Sequence, residues 1–257
     1  MTVFFYDMTF EGLLTALFDA YFRKTFPDLL LAEGEPLPLF YDDVLHVCTD
    51  KEKSSRVWKG LEKRLSATSL SMITYCWLSE LPTVAGLLFR YMRKVIDSPQ
   101  SIEQNFGDPD VLEVSHIAKK VSSERTHVLE FLRFQKAADG TYFAPVEPLY
   151  NVISLIIPYL KDRFADQKWL FYDLKRGYGY YYDLQNVSQV TFPNDQTQRL
   201  SASLSDDLLD KDEKLFQQLW KEYFNTIAIK ARINPRLQRQ NMPMFWILRM
   251  CLLKVWQ

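Results

Sequence analysis

Cysteine and glycine are both scarce in this chain of 257 residues. The three cysteines, Cys48, Cys76 and Cys251, lie far apart, and no pair has the CxxC spacing. We therefore expect neither a disulfide framework nor a cysteine-rich zinc site, and a reducing compartment is favoured. Eight glycines are too few for a low-complexity or disordered protein, so the composition predicts a folded chain.

Long apolar runs are also missing from the sequence. No uncharged apolar stretch approaches the roughly 20 residues that a membrane-spanning helix needs. The first residues, MTVFFYDMTFEG, are apolar only briefly and lack the basic leader and long apolar segment of a signal peptide. From these observations we expect a cytoplasmic protein that does not bind membranes.

The motifs of several enzyme classes do not occur in the sequence. There is no Walker phosphate-binding loop, no GxSxG nucleophile elbow and no HxE…CxxC deaminase pattern. The CxxxCxxC cluster-binding motif of radical-SAM enzymes is missing as well. Most nucleotide hydrolases and zinc deaminases are thereby disfavoured, and no metal or organic cofactor is implied.

Apolar and aromatic residues are abundant instead, at 47% and 15% of the chain, which is ample for a sizeable core. The formal net charge is only −1, so the protein is not expected to coat polyanions with its whole surface. Any affinity for nucleic acid must therefore come from a local patch of positive charge.

A polar stretch at 97–110, which contains Pro99, Gly107 and Pro109, is the predicted boundary between two domains. Residues 1–97 are predicted to form a mainly helical subdomain with short strands near 3–7 and in the segment DDVLHVCTD. One of its helices is predicted to be capped by Thr49 or Asp50, and another helical stretch is interrupted at Pro82.

The second domain, residues 108–257, is predicted to be α+β. A helix over 109–127 begins after Asp108, with proline at its first position. Two hairpins follow, one around Asp139-Gly140 and one around Arg176-Gly177, and a helix over 147–165 lies between them. This pattern predicts an antiparallel sheet built from two hairpins and covered by helices.

Two Glu-x-x-His pairs, Glu113 with His116 and Glu124 with His127, have the spacing found in carboxylate-bridged di-metal sites. One helix would hold the two pairs roughly 16 Å apart, which is too far for a dinuclear centre. Glu124 and His127 lie where the helix leads into the sheet, and such a pair can act as a general base or hold a phosphate. The alternative is a His⁺ that the helix dipole stabilises.

A predicted strand over 129–137 contains FLRFQ, in which Arg133 is expected on the open face of the sheet. The second hairpin adds charged and aromatic side chains, namely Asp173, Lys175, Arg176, Tyr178, Tyr180, Tyr181 and Tyr182. Arginine and tyrosine interleaved on a sheet can hold phosphates and stack on bases. Tyrosine is also common on exposed antiparallel sheets that bind no ligand, so both interpretations stand.

The last thirty residues, 228–257, form what we call the C-terminal basic region. They include six cations and no Asp or Glu: Lys230, Arg232, Arg236, Arg239, Arg249 and Lys254. An acidic run lies shortly before them, consisting of Asp206, Asp207, Asp210, Asp212 and Glu213. In one interpretation the two segments pair with each other. In the other, the basic region binds nucleic-acid phosphates, and six contacts with duplex DNA would give a salt slope of about −5.

Several short motifs occur in a definite order along the chain, among them YDMTFEGLLTALFDAY, KKVSSERTHVLEFLRFQ, YFAPVEPLYNV and LWKEYFNTIAIKARINPRLQRQNMP. In these motifs the chain resembles a bacterial family described as a probable DNA metabolism protein, built around domain of unknown function 4130. The resemblance implies a companion of a radical-SAM protein that modifies or repairs DNA. In some relatives a similar domain is fused to a uracil-DNA glycosylase. The catalytic motifs of neither partner occur in this sequence.

Three hypotheses follow from the residues and the resemblance. In the first, a DNA-binding accessory presents DNA to a radical-SAM partner, with Tyr180 and Tyr182 stacking on bases and with phosphates held by Arg133, Lys175, Arg176, Arg232, Arg236 and Arg239. In the second, an enzyme acts on a nucleic acid or nucleotide through Glu124 and His127, with Asp173 as a second carboxylate. In the third, a protein-interaction module docks a partner through exposed Trp246 and Trp256.

Overall fold

The computed structural model describes residues 1–192 and 209–213, together with scattered positions between 215 and 237. The chain forms two compact units, Met1–Ser122 and Ser123–Gln257. The described residues contain six helices and two sheets, so the protein is mixed α/β. None of the helices found in this part of the chain is long and apolar enough to cross a membrane.

The first unit is built around a three-stranded parallel sheet with the strand order β2-β1-β3. Its elements are β1 (Thr2–Tyr6), α1 (Phe10–Arg23), β2 (Leu29–Ala32), β3 (Asp43–His46), α2 (Lys51–Glu62), α3 (Ala67–Trp77) and α4 (Val84–Asp97). β1 takes the central position because Val3 to Tyr6 are all apolar and buried, as expected of a strand covered on both faces. The prediction of a mainly helical subdomain included strands at β1 and β3 and missed β2.

Polar side chains cap the N-terminal ends of α1, α2 and α3. The Asp50 carboxylate accepts the backbone N–H groups of Glu52 and Lys53 at 2.7 and 3.1 Å, which confirms it as the N-cap of α2. The Thr9 hydroxyl accepts the N–H of Gly12 at 2.9 Å in the same way at α1. The helical stretch predicted to break at Pro82 does so, since α3 ends at Trp77 and α4 begins at Val84.

Helix α5 (Pro109–Phe131) is longer than the predicted 109–127, and the division between the two units falls within it. The Asp108 carboxylate accepts the N–H groups of Asp110 and Val111 at 2.8 and 3.3 Å, as the predicted start requires. The helix continues to Phe131 because Val121 and Val128, seven residues apart on one face, are both fully buried. The predicted strand over 129–137 is therefore reduced to β4 (Gln135–Lys136).

The second unit contains a five-stranded sheet with the order β4-β5-β6-β7-β8. The remaining elements are β5 (Tyr142–Val146), α6 (Ile153–Arg163), β6 (Trp169–Asp173), β7 (Tyr178–Tyr182) and β8 (Val187–Val190). Neighbouring strands are antiparallel except β5 and β6, which run parallel. The prediction of an antiparallel sheet was wrong at this pair, because α6 connects β5 to β6 as a crossover and returns the chain to the same end of the sheet.

Aromatic side chains of β6 form much of the core of this unit. Trp169, Phe171 and Tyr172 are fully buried, and so are Ile156 and Leu160 of α6. On the other face of the sheet, Phe143 and Tyr172 pack against partly buried apolar side chains that include Leu170, Phe192 and Leu209. Because β6 is covered on both faces, site residues of this strand must lie at its ends and in the connecting loops.

Candidate functional site

The parallel pairing of β5 and β6 brings two connecting segments to one edge of the sheet. Val146, the last residue of β5, is in register with Asp173, the last residue of β6. The segment after β5, residues 147–152, therefore lies beside the β6–β7 turn. We call residues 147–152 the clamped loop, because charged side chains hold its backbone from two sides.

Asp173 organises the β6–β7 turn from a fully buried position. Its Oδ1 accepts the backbone N–H groups of Lys175 and Arg176 at 2.9 and 3.1 Å, and its Oδ2 accepts Nη1 of Arg176 at 2.9 Å. Burial raises the pKa of the Asp173 carboxyl, and the Arg176 guanidinium opposes this rise. The carboxylate thus has donors on both oxygens, which suits a structural role better than proton transfer.

Lys175 and Arg176 bind the clamped loop with their side chains. Lys175 Nζ donates to the carbonyl oxygen of Leu149 at 3.0 Å. Arg176 Nη2 donates to the same oxygen at 3.1 Å, and Arg176 Nη1 donates to the carbonyl oxygen of Pro148 at 3.2 Å. The Arg176 side chain is only 11% exposed. The structure therefore places Arg176 inside a hydrogen-bonded network, whereas Lys175 is exposed.

Glu124 of α5 holds the clamped loop from the other side. Its Oε1 accepts the backbone N–H of Leu149 at 2.9 Å, so the amide and the carbonyl of Leu149 are both bound by charged side chains. The structure thus brings Glu124 and Asp173 to the same loop, Glu124 directly and Asp173 through Arg176. The Leu149 side chain itself is 61% exposed.

His127 and Arg133 occupy other surroundings. The half-buried His127 ring lies 6.4 Å from the ring of Phe131, between centroids. Arg133 follows the end of α5 instead of lying on a strand, and its Nη1 donates to the carbonyl oxygens of Glu130 and Leu132 at 3.2 and 2.7 Å. These bonds satisfy carbonyls that the end of the helix leaves unpaired. The expectation that Arg133 projects from the open face of the sheet was wrong, because the helix continues past the predicted start of the strand.

The tyrosines of β7 differ in how much of each ring the protein covers. Tyr182 is 4% exposed, its ring stacks on Trp169 with 5.4 Å between centroids, and its hydroxyl donates to the carbonyl of Leu184 at 2.9 Å. Tyr182 is therefore a core residue, and its ring is not accessible to a base. Tyr180 is half-buried, and burial raises the pKa of its hydroxyl.

No pattern in the sequence predicted one further contact at this edge, between Tyr178 and Asn151. The Tyr178 hydroxyl donates to Oδ1 of Asn151 and so ties β7 to the clamped loop. Tyr178 is directly opposite Asp173 in the β6–β7 ladder, so the two side chains share a face. The alternation in YGYYY predicts which face Tyr178 takes, but no local pattern pairs it with an asparagine 27 positions away.

Among the site residues predicted in the C-terminal basic region, Arg236 is exposed. The others, Arg232, Arg239, Trp246 and Trp256, lie outside the residues that the structure describes. Asp210 of the acidic run is described as well. Its Oδ2 forms an ion pair with Nζ of Lys136 at 3.1 Å, and its backbone N–H donates to the Lys136 carbonyl at 3.0 Å. Glu213 Oε2 accepts the backbone N–H of Lys136 at 3.1 Å. These two acidic residues are thus bound to the edge strand β4.

The two Glu-x-x-His pairs both lie on one helix, α5. His116 is exposed. Within the residues that the structure describes, no group of three or more His, Cys, Asp or Glu side chains is placed to hold a metal ion.

The described residues define a mixed α/β protein whose second unit carries a charge-held loop at the edge of a five-stranded mixed sheet. The chain belongs to the family described as a domain of unknown function, DUF4130, whose model matches residues 82–249. The match begins just before α4, so the resemblance of the segments that precede it stays an expectation. No curated protein and no solved structure matches the chain.

Proposed function

We propose that this protein is a DNA-binding accessory of DNA metabolism or repair, and that its C-terminal basic region contacts nucleic-acid phosphates. The observation that carries the proposal is the segregation of charge along the chain: residues 228–257 have six cations and no carboxylate side chain. A protein with a net charge of −1 attracts DNA only where its cations are concentrated. Arg236, which is exposed, lies within this region.

The contacts of Asp210 support the proposal. The competing interpretation is that the acidic run neutralises the basic region that follows it. Asp210 instead forms its ion pair with Lys136, and Glu213 accepts the Lys136 backbone N–H. Because Asp210 and Glu213 are already bound to Lys136, they are less available to pair with the C-terminal arginines. This favours phosphates as the ligands of those arginines.

The contacts of Arg176 and Lys175 decide which residues of the β6–β7 turn are available to bind DNA. Binding of a phosphate by Arg176 would have to replace its bonds to Asp173 and to the clamped loop, and Asp173 would then be buried without its cation. Lys175 is exposed and uses one of its three N–H groups on Leu149, so it remains a candidate contact. The proposed interface therefore rests mainly on the C-terminal basic region, with Lys175 at its margin.

The family resemblance supports a further part of the proposal, namely that the partner is a radical-SAM protein that acts on DNA. The accessory would raise the local concentration of DNA for that partner. Co-purification of the two proteins, with and without DNA, tests this part separately.

DNA binding is tested by fluorescence anisotropy of labelled single-stranded and duplex DNA, titrated against salt. We expect affinity to fall steeply with salt, and the duplex slope to approach about −5 if all six cations of the basic region contact phosphates. The double variant Arg232→Ala/Arg236→Ala should bind more weakly, and its slope should be smaller in magnitude by about 2, because each lost contact removes about 1.

The matched control is Lys119→Ala/Lys120→Ala, which removes the same charge from exposed positions of α5. Alanine is the best helix former, so this control should fold normally. Its affinity for DNA should stay close to that of the unmodified protein. Equal losses in the two double variants would show a general charge effect and overturn the assignment of the interface.

A further inference from the structure

The segment from the end of β2 to the first residue of β3, residues 33–43, exposes large apolar side chains. Leu39 is 93% exposed and Phe40 is 86% exposed, and Leu37 and Tyr41 beside them are also exposed. Single exposed apolar residues on a surface are ordinary, but four of them within five positions concentrate apolar surface on one short segment. These side chains remain in water in the single chain, so they contribute nothing to its core.

The backbone of this loop is held at both ends. The N–H of Glu33 donates to the carbonyl of Tyr6 at 3.1 Å, and the N–H of Asp42 donates to the carbonyl of Met1 at 2.9 Å. The two ends are therefore bonded to the two ends of the central strand β1. Between these two ends, Pro36 and Pro38 further restrict the backbone of the loop. A segment ordered in advance loses little conformational entropy when it binds, which favours its use as a docking element.

The charges of the loop limit what it can bind. Residues 33–43 carry four acidic side chains, Glu33, Glu35, Asp42 and Asp43, and no lysine or arginine occurs from residue 25 to residue 50. The Asp42 carboxylate pairs with the N-terminal ammonium group, so the loop as a whole remains negative. A partner surface must therefore be apolar and basic.

The chain itself contains a segment of that composition. The C-terminal basic region has six cations and no acid, and its apolar residues include Phe245, Trp246 and Trp256. We propose that the acidic apolar loop, residues 33–43, docks onto the C-terminal basic region of a second copy of the chain. Two copies related by a twofold axis make this contact twice and form a closed dimer. The proposal concerns the same region as the proposed DNA interface but does not depend on DNA binding.

Sedimentation velocity of the full chain without DNA, over a wide range of protein concentration, tests the proposal. The wild-type protein should dimerise, and added salt should weaken the dimer because the contact pairs opposite charges. Leu39→Ser/Phe40→Ser should weaken dimerisation by about tenfold or more, since it removes the apolar anchors. These side chains are almost fully exposed, so the variant should fold. The control Phe22→Ser changes another exposed apolar residue, on α1, and should leave dimerisation unchanged.

A charge-swap experiment distinguishes this contact from general surface stickiness. Glu33→Lys/Glu35→Lys/Asp43→Lys gives the loop a net positive charge, and Lys230→Glu/Arg232→Glu/Arg236→Glu/Arg239→Glu gives the C-terminal basic region a net negative charge. Each variant alone should be monomeric, while their equimolar mixture should form heterodimers because each loop again meets a C-terminal region of opposite charge. A wild-type protein that stays monomeric, a dimer that survives Leu39→Ser/Phe40→Ser, or a mixture without heterodimers would each overturn the proposal.

Discussion

At the scale of single residues, Asp173 shows how the fold accommodates a carboxylate with no exposed surface. Two backbone N–H groups and one guanidinium supply its hydrogen bonds, and the same guanidinium bonds the clamped loop. The residue therefore links the β6–β7 turn to the segment after β5. Because the side chains of Asp173 and Arg176 are both largely buried, removing the charge of one leaves the other poorly solvated. The link between the two segments therefore depends on both charges.

We expect Asp173→Asn to destabilise the protein by about 3 kcal/mol, because Arg176 would stay largely buried without the carboxylate that neutralises it. Urea denaturation followed by circular dichroism measures the change. The matched control is Asp139→Asn in the exposed β4–β5 turn, where the carboxylate accepts the N–H of Thr141 at 2.9 Å. That change should cost less than about 1 kcal/mol, since asparagine preserves the turn bond. Similar losses of unfolding free energy for the two variants would contradict the assigned role of Asp173.

At the scale of elements, β7 depends on a glycine that the sequence marks only weakly. Gly179 lies opposite Tyr172 of β6 and Val190 of β8. A Cβ at this position would lie 2.5 Å from the carbonyl oxygen of Phe171 and 2.6 Å from Cδ2 of Tyr172. The ring of Tyr172 thus occupies the space above the glycine, an aromatic–glycine pairing that is common across neighbouring strands.

Gly179→Ala should therefore destabilise the protein by about 2 kcal/mol, because backbone atoms of β6 would have to move. Gly60→Ala is the matched control: nothing lies within 4 Å of the added Cβ, and the position is inside α2. This change should stabilise by about 0.5 to 1 kcal/mol, since alanine favours the helix. Thermal unfolding of both variants shows whether each is less stable or more stable than the wild-type protein. A stabilised Gly179→Ala protein would show that β7 accommodates a side chain there.

At the scale of the whole molecule, charge is segregated although the net charge is near zero. The segment 25–50 has six acidic residues and no lysine or arginine, and residues 228–257 have six basic residues and no acid. The two segments are each apolar as well as charged. This distribution underlies both proposals, because the same cations are assigned to DNA phosphates and to the loop of a second copy.

DNA and the acidic apolar loop should therefore compete for the C-terminal basic region. Adding short duplex DNA to the dimer should release monomers, each bound to DNA, because phosphates replace the carboxylates. Sedimentation velocity with a labelled duplex measures the size of the complexes. The sequence-matched control is a peptide nucleic acid duplex, whose backbone carries no charge and which should therefore leave the dimer intact. A stable complex of two copies with one duplex would contradict competition.

Local patterns in the sequence predict several parts of the structure. The turns at Gly140 and Gly177 have φ of 82° and 71°, the left-handed conformation that glycine adopts without strain. Asp50 and Asp108 begin helices where their spacing predicts, because capping involves only neighbouring residues. The order of motifs is likewise a property of the sequence alone, and it indicates the family that the model match establishes.

What the sequence by itself determined is therefore local: the capped starts of α2 and α5, the hairpin turns, the composition and the segregation of charge. The start of α6, predicted at residue 147, lies at Ile153. The tertiary structure alone decided that β5 and β6 run parallel and that Tyr182 lies in the core. It also decided that the Arg176 side chain is hydrogen-bonded to Asp173 and to the clamped loop. The bonds of the clamped loop join residues 25 to 28 positions apart. Such contacts depend on how α6 returns the chain to the sheet, and no short-range periodicity records that path.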